Sequence, residues 1–333
     1  MKKLIYIGFS CVSFSVVAQT HLYHFEKNEK SGFIDSVGNE VISPQFDHAG
    51  DFSEGLASVY VGNKVGYVNH LGKMVIKPTF DRAFEFKDHV AIVIVDTLYG
   101  LIDQQGNYLL RPIYQYMQFQ NEGKIGVKKN DLWGFYSLTG KSITPIKYSW
   151  IGKFSEGLAM IQSNETGKQG FINTKGREVI PCTLEAVYSP FVNGYAAVAD
   201  ATGKNCYINK YGLNVFGVYF DRVDQFNEGK AFVRKTFNSD GYFIDTTGQP
   251  LFNRVFKQVW WFNDGLCGAE TDSGFVVINA EGTTVFSSKT IEWRFCSGEF
   301  GFFCDHSTEE LTWGIMNKQM EILSDERFIE IFQ

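Results

Sequence analysis

The 333-residue chain has little proline and little charge: seven Pro in all, and only 20% Asp, Glu, Lys and Arg. Sparse charge beside 44% hydrophobic residues excludes a disordered, self-repelling polymer. It has no basic run, and its 37 acidic residues outnumber its 31 basic ones. Because neutralised phosphates supply most nucleic-acid affinity, a nucleic-acid partner is not expected. Six cysteines include no Cys-x-x-Cys pair of the kind that suggests zinc. Past residue 18 no apolar run approaches the ~20 residues of a membrane-spanning helix, so no transmembrane segment is expected.

Catalytic signatures are missing as well. There is no Gly-x-Ser-x-Gly, no His-Glu-x-x-His and no phosphate-cradling glycine loop. His21, His24, His48, His70, His89 and His306 stand at unlike places, where a solvated or core role is commoner than ligation. No catalytic residue, cofactor or metal is implied.

What is present begins with an N-terminal targeting pattern. Lys2 and Lys3 precede an apolar stretch from Leu4 to Val17, and Val16-Val17-Ala18 offers small residues before Gln19. That is a signal peptide over residues 1–18, cleaved after Ala18, so the mature product is expected to be exported to periplasm, cell surface or medium. Cys11 is a poor match to a lipid-attachment site. Removing two lysines leaves 29 basic against 37 acidic residues, a net −8 from the two counts. In an oxidising compartment Cys296 and Cys304 form the most plausible local bridge.

Aromatic residues and glycine dominate the rest: 31 Phe, 16 Tyr, 6 Trp and 33 Gly. Aromatics suit pleated surfaces and glycine closes tight turns, which favours short strands. The glycines are periodic. One series falls at Gly38, Gly72, Gly106, Gly140, Gly176, Gly212, Gly248 and Gly282, spaced by 34 or 36 residues. Three residues before each stands Asp, Asn or Ser, the residue that bonds its own turn backbone, so each glycine marks a hairpin. A second series opens units at Gly32, Gly66, Gly100, Gly134, Gly170 and Gly241. A third closes them at Gly55, Gly123, Gly157, Gly194, Gly229, Gly265 and Gly298, mostly with Phe three residues earlier. Pro44, Pro78, Pro112, Pro145 and Pro181 are expected to end the second strand of their units. The reading is an all-β domain over residues 19–333: an N-terminal strand, eight recognisable repeats and a partial C-terminal one.

These units resemble the WG repeat, a secreted bacterial β-repeat whose units open Trp-Gly-aromatic-Ile-Asp. Trp133-Gly134-Phe135-Tyr136 and Trp313-Gly314-Ile315 carry the dipeptide, and Phe52-Ser53-Glu54-Gly55-Leu56-Ala57 and Phe154-Ser155-Glu156-Gly157-Leu158-Ala159 carry a second signature. Ser31, Val65, Tyr99, Gln169, Asp240 and Ser273 replace the opening Trp elsewhere. The resemblance implies a scaffold with no shared catalytic residues.

Four short strands per unit fit a propeller blade or one coil of a β-solenoid. A mature start at His21–Phe25 that reads as a fourth strand, and an end at Phe328–Phe332 that reads as a third, favour a closed ring of about nine units over an open rod. Glu54, Glu122, Glu156 and Glu228 could then line its centre, although a polar turn role explains them more simply. The candidates for ligand contact are Trp260, Trp261 and Trp293, with at most one expected to be exposed, and the loop around His306–Glu310 should protrude. The function expected is an exported, non-enzymatic scaffold for a protein or glycan partner. An envelope-assembly spacer is the alternative, and a carbohydrate-active enzyme a weaker one.

Overall fold

The computed structural model describes residues 21–297, 300–307 and 312–323. The signal peptide, the 308–310 part of the expected protruding loop and the expected strand at Phe328–Phe332 lie outside them. The described residues contain strands and turns and no helix. They divide into two compact units, one ending at Gln115 and the other starting at Tyr116, where the sequence read as a single array.

In the first unit the pattern is clearest in the sheet formed by His48–Ser53, Leu56–Val61, Lys64–Asn69 and Met74–Phe80, antiparallel in that order. Two of these strands precede the opening Gly66 and two contain or follow it. The sheet is therefore offset by half a unit from the sequence repeat. Tyr23–Lys27 pairs with Lys30–Ile34 in the manner of a fourth strand, and Glu40–Phe46 completes that first sheet. Arg82–Ala83, Val90–Val95, Leu98–Asp103 and Tyr108–Tyr114 form the next. In the second unit Tyr116 to Leu184 contributes a seven-stranded sheet, and four smaller sheets follow, the last ending at Thr312–Asn317. Each described sheet is open, with two edge strands.

The hairpins form as the turn residues require. Asp35 Oδ1 accepts from the backbone N–H of Val37 at 3.0 Å and Asn39 at 2.8 Å, and Asn69 Oδ1 accepts likewise from Leu71 and Lys73. Gly106 has φ +84°, and a Cβ there would also stand 3.0 Å from the Ile76 side chain of the preceding repeat. Glycine is thus needed twice, for the turn and for the seat of one unit on the next.

Four of the prolines do not end their strands. Pro44, Pro78, Pro112 and Pro181 lie inside Glu40–Phe46, Met74–Phe80, Tyr108–Tyr114 and Glu178–Leu184. The ladder shifts register beside them, where no donor is required of that backbone nitrogen. The opening glycine faces this bulge: a Cβ on Gly66 would meet the Ile76 carbonyl and stand 2.7 Å from Pro78 N. Pro145 lies outside any strand.

The core repeats one aromatic pair. The residue five before the hairpin glycine packs on the Phe of the closing turn, with ring centroids 4.7 Å apart for Phe33–Phe52, 4.8 Å for Tyr67–Phe86, 5.0 Å for Phe135–Phe154 and 5.2 Å for Phe243–Phe262. Phe171–Phe191 and Tyr207–Phe226 repeat it. Each tilted or edge-on pair adds roughly 0.5–1.5 kcal/mol beyond its buried area. The repeat opening at Gly100 has Leu101 and Gln120 at these positions. Gln120 is 5% exposed, and neither of its amide atoms has a hydrogen-bond partner.

Cys182, Cys206 and Cys267 carry free thiols, and burial raises all three pKa values. The expected bridge falls on Cys296, whose side chain lies outside the described residues. The strand register sets Cys296 opposite Gly301 and Cys304 opposite Glu292.

Candidate ligand groove

The closing turns place Glu and Gly both at positive φ, +50° for Glu156 and +80° for Gly157, the geometry of a tight two-residue hairpin. Their carboxylates do more than solvate the turn. Glu54 accepts from His89 N–H at 2.8 Å, Glu122 from Gly157 at 2.9 Å, Glu156 from Gly194 at 2.9 Å and Glu228 from Gly265 at 3.0 Å. Each acceptor holds the corresponding turn of the following repeat. The residue just before the Glu adds a second link: Ser53 Oγ donates to Phe86 O, and Ser155 Oγ to Phe191 O. Asn121 and Asn227 do the same with their amides. The glutamates considered for the centre of a ring are thus clamps between consecutive repeats. Among the described residues no cluster of three His, Cys, Asp or Glu could hold a metal ion.

Between the first strand of a sheet and its anchoring Phe runs a link of two or three residues. In three consecutive repeats these links are Tyr188-Ser189-Pro190 before Phe191, Asp224-Gln225 before Phe226, and Trp260-Trp261 before Phe262. Together they shape a groove of about 460 Å³, lined by Tyr188, Arg222, Val223, Asp224, Gln225, Asn227 and Trp261. Trp261 is 75% exposed and Tyr188 54% exposed, so two aromatic rings flank a polar floor.

Arg222 donates to both oxygens of Asp224, from Nε at 2.8 Å and Nη2 at 2.9 Å, and its guanidinium lies 5.3 Å from the Phe232 ring centroid. A planar fork on a carboxylate fixes both groups. Tyr207 donates its hydroxyl to the Asp224 carbonyl at 2.6 Å, and burial raises its pKa well above the ordinary phenol value, so it stays a donor. Tyr188 donates to Asn205 Oδ1 at 2.9 Å, and Asn205 in turn donates to the Asp221 carbonyl. Asn227 and Glu228 bind the turn just after Trp261. Tyr188, Arg222, Asp224 and Asn227 in the lining are thus held by hydrogen bonds within the protein.

The three tryptophans therefore separate. Trp261 lines the groove and is largely exposed. Trp260 is half-buried, with its ring close to Gly268. Trp293 is 3% exposed and packs with Val277, Phe303 and Met316, which makes it a core residue rather than a contact surface. Sequence reasoning missed Tyr188, Arg222, Asp224, Gln225 and Asn227. Their signal was positional: the same link, aligned across three repeats, carries aromatic and amide side chains.

The histidines stay scattered. His24 pairs with Asp51 at 2.8 Å, His70 stacks on Phe52 at 4.2 Å, and His306 Nε2 meets the buried Glu292 at 2.7 Å while its ring stacks on Phe275. Among the described residues no helix is long and apolar enough to cross a membrane.

Comparison with known proteins agrees on the repeat. The family described as WG containing repeat matches residues 32–64, 66–96, 99–133, 133–166 and 170–199. No curated protein matches the sequence. Among solved structures, a crystal structure titled as the eukaryotic initiation factor is 10% identical with a TM-score of 0.49, covering 95% of this chain and 98% of that one. Dipeptidyl peptidase 4 of Porphyromonas gingivalis is 9% identical at a TM-score of 0.44, covering 83% and 59% respectively. The extracellular domain of the hybrid two-component protein BT3049 of B. thetaiotaomicron is 11% identical at 0.27, covering 90% and 48%.

Proposed function

The chain belongs to the WG containing repeat family, and from that premise we propose that it is a non-enzymatic repeat scaffold that binds a protein or glycan ligand. The observation that carries the reading is Trp261, 75% exposed at the edge of a groove in which Tyr188, Arg222, Asp224 and Asn227 are held by hydrogen bonds within the protein. Large aromatic side chains left in water mark contact surfaces, because their burial against a partner releases much free energy at little rotamer cost. The repeat supplies the frame, and the variable links supply the contacts. Export belongs to the same proposal and rests on Lys2, Lys3 and the apolar run to Val17.

Immobilised mature chain, residues 19–333, should capture a saturable ligand in a protein pull-down or on a glycan array. Absence of any saturable ligand in both would remove the reading. Closure into a propeller-like ring is also proposed, supported by the first sheet, which has three strands where the next has four and carries Tyr23–Lys27 at its open edge. Small-angle scattering checks it: a compact particle supports the ring, and a rod several times longer than wide contradicts it.

A further inference from the structure

We infer that the groove between Tyr188 and Trp261 takes a neutral oligosaccharide. The inference rests on the scaffold reading above and names its ligand. Size comes first. About 460 Å³ falls within the ~300–1,000 Å³ of small-molecule sites, room for one or two sugar rings rather than the broad patch of a folded partner.

The lining points the same way. A pyranose has flat C–H faces and hydroxyl-bearing edges. Its faces suit the exposed rings of Trp261 and Tyr188, while its edges need groups that accept as well as donate. Each Asp224 oxygen accepts one bond from Arg222 and keeps a lone pair for another, and the exposed amide of Gln225 can do both. An apolar protein side chain would find little to bury against, since Val223 is the one aliphatic residue lining the groove.

Charge selects among sugars. The Arg222 guanidinium is already committed to Asp224, so the floor is a neutral pair and not a vacant cation. An acidic sugar would have to compete with Asp224 for Arg222 on a chain whose net charge is −6. Hydroxyl groups meet no such opposition. The clamps from Asn227, Glu228, Tyr188 and Tyr207 also lower the ordering cost of binding, which matters for a ligand that gains little per contact.

The test uses the mature full-length chain on an array of neutral glucan, xylan, mannan and chitin oligosaccharides beside uronate-bearing ones, followed by calorimetric titration of the hits. At least one neutral oligosaccharide should bind saturably. Trp261→Ala should weaken it at least tenfold and Tyr188→Ala several-fold, while Trp150→Ala, at another exposed tryptophan, should leave it unchanged. Thermal melts confirm that each variant folds. Binding confined to uronate-bearing glycans, or unaffected by Trp261→Ala, overturns the inference. So does a Trp261-dependent protein partner without any glycan, although the scaffold reading then stands. If no ligand of either class binds, both fall.

Discussion

Two stretches of this chain treat the same repeat differently. From Lys30 to Gln115 the opening glycine faces a proline bulge, and second strands such as Met74–Phe80 run for seven residues. From Glu185 to Ser273 that pairing fails. Asn205-Cys206 stands where a glycine opened the earlier units, and no strand lies between Asn209 and Arg222; the bridges Asn205–Phe220 and Ile208–Asn214 are what remain of it. Cavities of about 460, 530 and 680 Å³ are lined by residues of this second stretch. The lesson is a division of labour. The aromatic pairs Tyr207–Phe226 and Phe243–Phe262 and the Glu228 clamp persist where the ladder thins, so the links are relieved of holding the sheet and can carry ligand-facing side chains.

The largest expected effect shows what the stretches share. Phe86→Ala and Phe262→Ala, one from each, should both cost about 3–5 kcal/mol in chemical denaturation, because each empties a buried anchor. Unequal losses would mean that the second stretch no longer depends on its pairs. Next, Gly66→Cys copies into a regular unit what Cys206 brings to an irregular one. It should cost roughly 1–3 kcal/mol by overpacking against Ile76 and Pro78, and hydrogen exchange along Met74–Phe80 should quicken. Unchanged exchange would separate the glycine from the ladder. A smaller effect follows from the clamp: Glu228→Ala should lower stability by about 0.5–1 kcal/mol, the net worth of one hydrogen bond in contact with water. A zero effect would show that the units stack without it.

The smallest effect is a pH dependence. The backbone N–H and side-chain amide of Asn39 hold the Asp35 carboxyl below its ordinary value, and the Thr247 hydroxyl and neighbouring backbone do the same for Asp245. Both are depressed in the folded state, so their contribution is present above the unfolded value of about 3.9 and is lost as pH falls through the folded one. Asn69 and Asn279 make the equivalent turn bonds without titrating. The double variant Asp35→Asn, Asp245→Asn should therefore lose less Tm between pH 5 and pH 3 than the parent. An equal loss would place the acid sensitivity elsewhere.

Much of the frame was legible because its marks are local. Asp35 and Gly38 are three residues apart and make one turn, so their spacing declares it. The prolines misled, since a missing donor is compatible with a strand end and with a bulge, and only the glycine across the sheet distinguishes them. Glu156 read as a turn residue because its acceptor role is satisfied 38 residues later, at Gly194. The groove was least visible. Tyr188 and Trp261 stand two repeats apart, and nothing near either one announces the other. Trp293 aligns with Trp260 by repeat position, and packing against Phe303 and Met316 buries it more deeply.

One substitution addresses the division of labour directly. Glu85 occupies in a regular repeat the link position that Trp261 occupies in the irregular one, so Trp261→Glu restores a regular link. Calorimetric titration of the ligand, with a melt on the same sample, should show binding lost and Tm essentially unchanged. Retained binding, or a collapse of the fold, would contradict the view that frame and contact surface are carried by different residues.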